Sequence, residues 1–130
     1  AQGLGGHVQL AGFRPDLARW LGCLDMIVHP AEREGLGVSL LQAAAAGLPI
    51  IAARAGGMPE VVEDGRTGLV VAPGDVMALA EAMKRLLDDG ALRAEMGRRG
   101  RARMDAHFSP DVMVAGNLAV YRHVLRKAAG

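Results

Sequence analysis

The chain has 130 residues, 51% of them apolar, and its 15 lysines and arginines nearly cancel its 14 acidic side chains. That length supports one domain with its own core, not two, and the balanced charge argues against both a nucleic-acid scaffold and a trap for acidic substrates. Any anion the chain binds must be held by a local arrangement. Cys23, the lone cysteine, leaves no internal disulfide and no multi-thiolate metal site. It fits a reducing compartment and reads as a small buried hydrophobe. No apolar stretch approaches the roughly twenty residues that span a bilayer, and no basic segment followed by an apolar one opens the chain. A cytoplasmic protein, neither transmembrane nor signal-bearing, is expected.

In chain order, short apolar runs alternate with helical patterns, the signature of a parallel sheet covered on both faces. The first run is residues 8–13. Leu17, Trp20, Leu21 and Leu24 follow at helical spacing, and residues 26–29 form a second run closed by His29 and Pro30. Residues 38–46 are apolar nearly all round, as in a helix held between a sheet and a ligand or partner. Runs at residues 49–53 and 68–72 complete four predicted strands. Asp75 is placed to cap a helix whose Val76, Leu79, Ala80, Met83, Leu86 and Leu87 make one stripe, with Gly90 at its C-terminal end. Beyond Gly90 the pattern is helical only. Residues 92–106 carry Arg93, Arg98, Arg99, Arg101 and Arg103 without interleaved aromatics, so they read as a solvated helix rather than a phosphate or RNA platform. Ser109, Pro110 and Asp111 start a last helix, with Val114, Leu118, Tyr121 and Leu125 as its buried stripe.

Open α/β sheets bind ligands at the carboxyl ends of their strands, and the segment after His29 is the most informative such end. In "EREGLGVSLLQAAAAGLP", Gly35 and Gly37 let backbone approach a ligand, while the free amides and dipole of the helix start favour a phosphate. Glycines before a helix are common, so they are weak evidence alone. Glu34 adds to them, because a carboxylate beside a phosphate cradle is better suited to gripping sugar hydroxyls. Gln42 is the only side chain between Leu40 and Pro49 able to hydrogen-bond, and if buried it needs backbone or ligand partners. In "ARAGGMPEVVEDGRTG", Gly56 and Gly57 precede Pro59 and Glu60, either as a second place for an anion or sugar to reach backbone amides or as a plain turn. His29 lies near the same end. His7, His107 and His123 are too scattered for a metal site, and Asp88 and Asp89 end a helix rather than forming a metal-binding pair. Ser39 has no histidine placed beside it and no nucleophile elbow.

Residues 25–75, "DMIVHPAEREGLGVSLLQAAAAGLPIIAARAGGMPEVVEDGRTGLVVAPGD", closely resemble the C-terminal domain of GT-B fold, retaining glycosyltransferases of family 4, the glycosyl transferases group 1. The shared pattern is E-G-x-G-x-x-x-x-E-A-x-A-x-G-x-P, then G-G-x-P-E, then D-G-x-T-G-x-L-V. "VQLAGF" resembles the preceding strand and "AHFSPDVMVAGNLAVYRHVL" the closing helix, so the match spans nearly the whole chain. The resemblance implies a Rossmann-like α/β fold, a parallel sheet with helices on both faces, as the C-terminal half of a GT-B fold without its first βαβ elements. Residues 1–108 would be a partial nucleotide-sugar-binding domain, and residues 109–130 a helix packing across to an N-terminal acceptor domain outside this chain.

The implied activity is metal-independent, retaining transfer of a hexosyl unit from a UDP- or GDP-sugar to a glycan, lipid or small molecule, in carbohydrate or cell-envelope polysaccharide synthesis. No other cofactor, no metal and no nucleic acid is implied, and membrane contact would be peripheral at most, at the inner face. The fragment alone is expected to be inactive. A sugar-nucleotide epimerase of similar architecture and a non-catalytic assembly remnant are the alternatives.

Carried over by position, Glu34 is the first glutamate of the family's E-x7-E pair, the implied catalytic carboxylate that holds the donor sugar's hydroxyls. Gly35 belongs to the same donor-binding stretch, in which the peptide groups of Leu36, Gly37, Val38 and Ser39 would meet the sugar and diphosphate. His29, Gly56 and Gly57 are further candidates. The second glutamate of the pair, which holds the ribose, is Gln42 here. An amide cannot accept from two hydroxyls with a full negative charge, so weaker donor binding is expected. The family's diphosphate-neutralising lysine and arginine have no match in "AQGLGGHVQLAGF". In a sheet of order 3-2-1-4-5-6, the strand at residues 8–13 then lacks its native neighbour. It is expected to re-pair with the strand at residues 26–29 or to use a second chain, as a homodimer or strand swap.

Overall fold

The structure, a computed structural model, describes residues 3–128. In chain order its elements are α1 (Leu17–Leu21), β1 (Ile27–His29), α2 (Val38–Ala45), β2 (Ile50–Ala53), α3 (Met58–Val61), β3 (Gly68–Val71), α4 (Val76–Asp88), α5 (Gly90–His107) and α6 (Pro110–Ala128). The strands pair in parallel in the order β1-β2-β3, with Ile27 opposite Ile50 and Ile50 opposite Gly68. The central strand β2 is buried at every position, which is why its sequence is an unbroken apolar run. Successive side chains point to opposite faces. Ile50 and Ala52 therefore join one cluster with Leu40, Ala43 and Ala44 of α2 and Met58 and Val61 of α3, while Ile51 joins another with Leu69, Ala82, Leu86 and Met96. Helices thus cover both faces of a parallel, Rossmann-like sheet.

Helix α5 ties the two clusters together, since Met96 belongs to one and Met104 to the other. It crosses the amino end of the sheet at very close range. A Cβ on Gly97 would lie 1.9 Å from the Gly47 carbonyl oxygen, so no larger residue fits there. Its outer arginines behave as a solvated face: Arg98 and Arg99 pair with Glu95 at 2.8 and 2.7 Å. Arg98 first, then Arg99, draw the Glu95 carboxyl down to about 2. Arg103 is the exception, held against Glu63 and the Glu60 carbonyl.

The predicted caps are present at α4 and α6. Asp75 accepts the Ala78 N–H at 2.9 Å, and Ser109 accepts the Val112 N–H at 3.3 Å. Gly90 is a correction: it opens α5 rather than closing α4. Asp89 takes an extended conformation and caps α5 by accepting the Leu92 N–H at 2.8 Å. The last carbonyls of α4, at Leu86 and Leu87, are satisfied by the Arg93 guanidinium instead of by a glycine turn.

Three expectations about burial and pairing are also corrected, for residues 8–13, Cys23 and α6. Residues 8–13 form no strand and do not re-pair with β1; Val8, Leu10 and Phe13 are 57%, 94% and 92% exposed. Extended backbone without a ladder partner leaves its amides and carbonyls to water, and nothing then holds it flat. Helix α1 is short, so Leu21 alone is buried while Trp20 and Leu24 remain exposed. Cys23, just beyond it, is exposed rather than buried. Helix α6 buries none of its residues, and Val114, Leu118, Tyr121 and Leu125 face solvent.

Candidate functional site

The turn between β1 and α2 carries Glu34. Its Oε1 accepts the Gly35 N–H at 2.9 Å, and its Oε2 lies 3.1 Å from His29 Nε2. An ionised carboxylate only accepts, so this contact requires a hydrogen on Nε2 of the ring. The Gly35 amide first, and His29 second, hold the Glu34 carboxyl below its ordinary value. A carboxylate offers about four lone-pair directions, and two are used here. With the side chain 33% exposed, both oxygens keep capacity for a ligand's hydroxyl groups.

The helix that follows is open at its start. Gly37, at φ 72° and ψ 68°, occupies the left-handed region that lets the chain turn sharply into α2, and no side chain caps the helix. The Leu40 and Leu41 amides fold back onto the Gly37 carbonyl at 2.8 and 3.3 Å. Those of Val38 and Ser39 find no acceptor among the described residues. These free amides carry the positive end of the helix dipole, an arrangement suited to a phosphate.

Buried, the Gln42 amide would need hydrogen-bonding partners. It is exposed, on the face of α2 opposite Leu40, Ala43 and Ala44. Helical spacing places it one turn beyond Val38 and Ser39, so the three side chains share one exposed face next to the open helix start. Leu36 and Val38 are also exposed, at 40% and 66%. The candidate residues therefore come together as an open surface, not as an enclosed cavity.

Gly56 and Gly57 form the turn between β2 and α3. Their turn packs directly on the backbone of the Glu34 turn, where the Gly57 N–H donates to the Gly35 carbonyl at 2.7 Å. A Cβ on Gly56 would lie 1.8 Å from the Glu34 carbonyl oxygen, and one on Gly57 would lie 2.9 Å from that of Gly35. The Gly57 amide is thus spent on protein. Sequence spacing carries no trace of this contact, because two loops on neighbouring strands meet through backbone alone.

Glu32 lines a hollow of about 190 Å³ with Pro30, Ala53, Val71 and Asp75 at the same end of the sheet. A larger groove of about 560 Å³ is lined by Arg66, Arg98, Arg99 and Arg103. It lies near Thr67, at the amino end of β3 and so away from Glu34, and its guanidiniums already pair with Glu63 and Glu95. Among the described residues, no three His, Cys, Asp or Glu side chains are grouped as a metal ion would need. Asp88 pairs with Lys84, and Asp89 is occupied as the cap of α5.

Comparison with known proteins bears on the family and the fold. The family described as glycosyl transferases group 1 matches residues 1–103. A GDP-mannose-dependent monoacylated alpha-(1-6)-phosphatidylinositol monomannoside mannosyltransferase of Corynebacterium glutamicum is 42% identical over 75% of this chain and 27% of its own length. Among solved structures, a sucrose-phosphate synthase from Thermosynechococcus elongatus aligns with a TM-score of 0.86 and 33% identity, covering 98% of this chain and 32% of that one. Anabaena HepE in complex with UDP aligns with a TM-score of 0.83 and 28% identity, over 91% of this chain and 34% of that one. The same Anabaena protein has also been solved with UDP-glucose. The chain spans about a third or less of the length of these proteins.

Proposed function

The chain belongs to the glycosyl transferases group 1 family, and from that premise we propose that it is the donor-binding part of a retaining, family 4 hexosyltransferase. The donor is a UDP- or GDP-sugar, and the reaction proceeds without a metal. The observation that carries this reading is the pairing of a Glu34 carboxylate fixed by Gly35 and His29 with the uncapped start of α2. Support comes also from the relatives, one named for its dependence on GDP-mannose and another solved with UDP and UDP-glucose.

In this reading the chemistry is positioning and charge stabilisation. Glu34 accepts hydrogen bonds from the donor sugar's hydroxyls and orients its anomeric carbon. The Val38 and Ser39 amides, with the peptide groups of Leu36 and Gly37, stabilise the negative charge that builds on the diphosphate as it leaves. Gln42, on the same face, meets the ribose with one acceptor and two N–H donors, a weaker grip than a carboxylate would give. The acceptor is held by an N-terminal domain. Helix α6, with Val114, Leu118, Tyr121 and Leu125 exposed, packs across to that domain. The complete enzyme works in the cytoplasm, in polysaccharide or glycoconjugate synthesis, with peripheral access to membrane-borne acceptors.

Calorimetric titration with UDP, GDP, UDP-glucose and GDP-mannose tests the proposal. It predicts binding of one nucleotide series that Glu34→Ala and Gln42→Ala weaken. Absence of binding at millimolar concentrations overturns it in favour of an assembly role. Joined to its N-terminal domain, the protein should pass sugar to an acceptor and yield no epimerised donor.

A further inference from the structure

We propose that Gly56 and Gly57 are positioning residues for Glu34, acting through the backbone of the turn that carries it; this rests on the donor-binding reading of Glu34. Three contacts form a relay. The Gly57 N–H donates to the Gly35 carbonyl at 2.7 Å, the Gly35 N–H donates to Glu34 Oε1 at 2.9 Å, and His29 Nε2 meets Oε2 at 3.1 Å. Residue 35 is thus held from both sides, by its carbonyl against the β2–α3 turn and by its amide against the carboxylate.

The glycines are needed for contact, not only for turning. Gly56 sits at φ 52°, and a Cβ there would lie 1.8 Å from the Glu34 carbonyl oxygen and 2.9 Å from that of Gly35. Backbone on both sides leaves no flexible side chain to yield. Gly57 has an ordinary φ of −81°, so alanine would be unstrained there but for 2.9 Å to the Gly35 carbonyl oxygen and 3.2 Å to Leu36 Cδ1. Any side chain at either position therefore pushes residues 34–36 away from β2. The Glu34 carboxylate moves with them, away from His29, whose place is set by β1.

A role through Glu34 differs measurably from a role in general stability. Glu34 is assigned to the sugar, so displacing it should weaken a sugar nucleotide more than the bare nucleotide. In titrations with UDP and UDP-glucose, or GDP and GDP-mannose if the chain prefers guanine, Gly57→Ala is expected to lose about tenfold or more of the sugar-dependent increment, as Glu34→Ala does. The double substitution should be no worse than Glu34→Ala alone. Thermal melting establishes that each variant is folded. Should Gly56→Ala fail to fold, Gly57→Ala carries the test. Hydrogen exchange at the Gly57 amide in the unsubstituted chain adds a readout without substitution: it should be slow, and slower with UDP-glucose than with UDP.

Equal losses for nucleotide and sugar nucleotide, additive penalties in the double variant, or a Gly57 amide indifferent to the sugar would overturn the positioning role while leaving Glu34 in place. No binding of either nucleotide series to the unsubstituted chain would overturn the donor reading itself.

Discussion

The turn between β1 and α2 and the last helix, α6, present apolar and polar groups in opposite ways. At the turn, exposed functional groups stand on a buried floor: Leu40, one residue beyond Ser39, is fully buried, and Met58 behind Gly57 is too. Helix α6 has a regular apolar stripe and a capped start, yet no residue of it is buried. A periodic stripe therefore states that a helix needs an apolar partner without saying that the partner lies in the same chain. The turn has little periodicity, but its contacts are all internal, and they fix the one carboxylate on which the proposed chemistry depends.

The comparison is broken most severely by equal deletions in the two regions. Leu40→Ala should cost about 2–5 kcal/mol in urea unfolding, since it opens a cavity under α2. Leu118→Ala should stay within about 0.5 kcal/mol. Similar losses at both would show that α6 is packed in solution, against this chain or a second copy. Next in size, Glu34→Gln should weaken a bound sugar nucleotide roughly ten- to a hundredfold with an unchanged melting midpoint, because the carboxylate faces the ligand.

The same residue has a predictable acid limit. Its carboxyl is held below the ordinary glutamate value of 4.5 by the Gly35 amide and then by His29. A depressed value means that the ionised form, with any stability and affinity it confers, is fully present above 4.5 and is lost as the pH falls below it through the folded-state value. Affinity for UDP-glucose should thus be flat across neutral pH and decline only below that point. Glu34→Gln should remove this limb of the profile. Asp75→Ala, which deletes the cap of α4, should cost about 1 kcal/mol and leave nucleotide affinity alone. The smallest effect is expected from Gln42→Glu, a gain of a few-fold in nucleotide affinity through a charged acceptor for the ribose.

The legible parts of the fold were those whose signal is local. The runs at residues 26–29, 49–53 and 68–72 become β1, β2 and β3 with ends shifted by a residue, because strands covered by helices on both faces read as apolar runs, most completely in the fully buried β2. Asp75 and Ser109 cap helices as their positions suggested. The run at residues 8–13 was misleading because its composition is that of a strand while pairing depends on a neighbour elsewhere in the sheet. Gly90 misled for a related reason: Arg93 satisfies the end of α4 through contacts that no glycine signal announces.

Within the candidate site, Glu34 and the glycine-led helix start were visible as residue types in a suitable order. Their geometry was not. Gln42 looked like a core amide because its neighbours in sequence are apolar, yet the step from Leu40 to Gln42 is only about half a helical turn and carries the chain from the buried face to the exposed one. The contact between Gly57 and Gly35 joins loops that only the register of β1 against β2 brings together.

The most direct test of the central claim is a backbone-amide chemical-shift map of the chain titrated with UDP-glucose and GDP-mannose. Saturable shifts centred on Glu34, Gly35, Val38, Ser39 and Gln42, and lost in Glu34→Ala, are the predicted result. Shifts centred on the arginine groove around Arg98 and Arg103, or an unchanged map at millimolar ligand, would contradict the account.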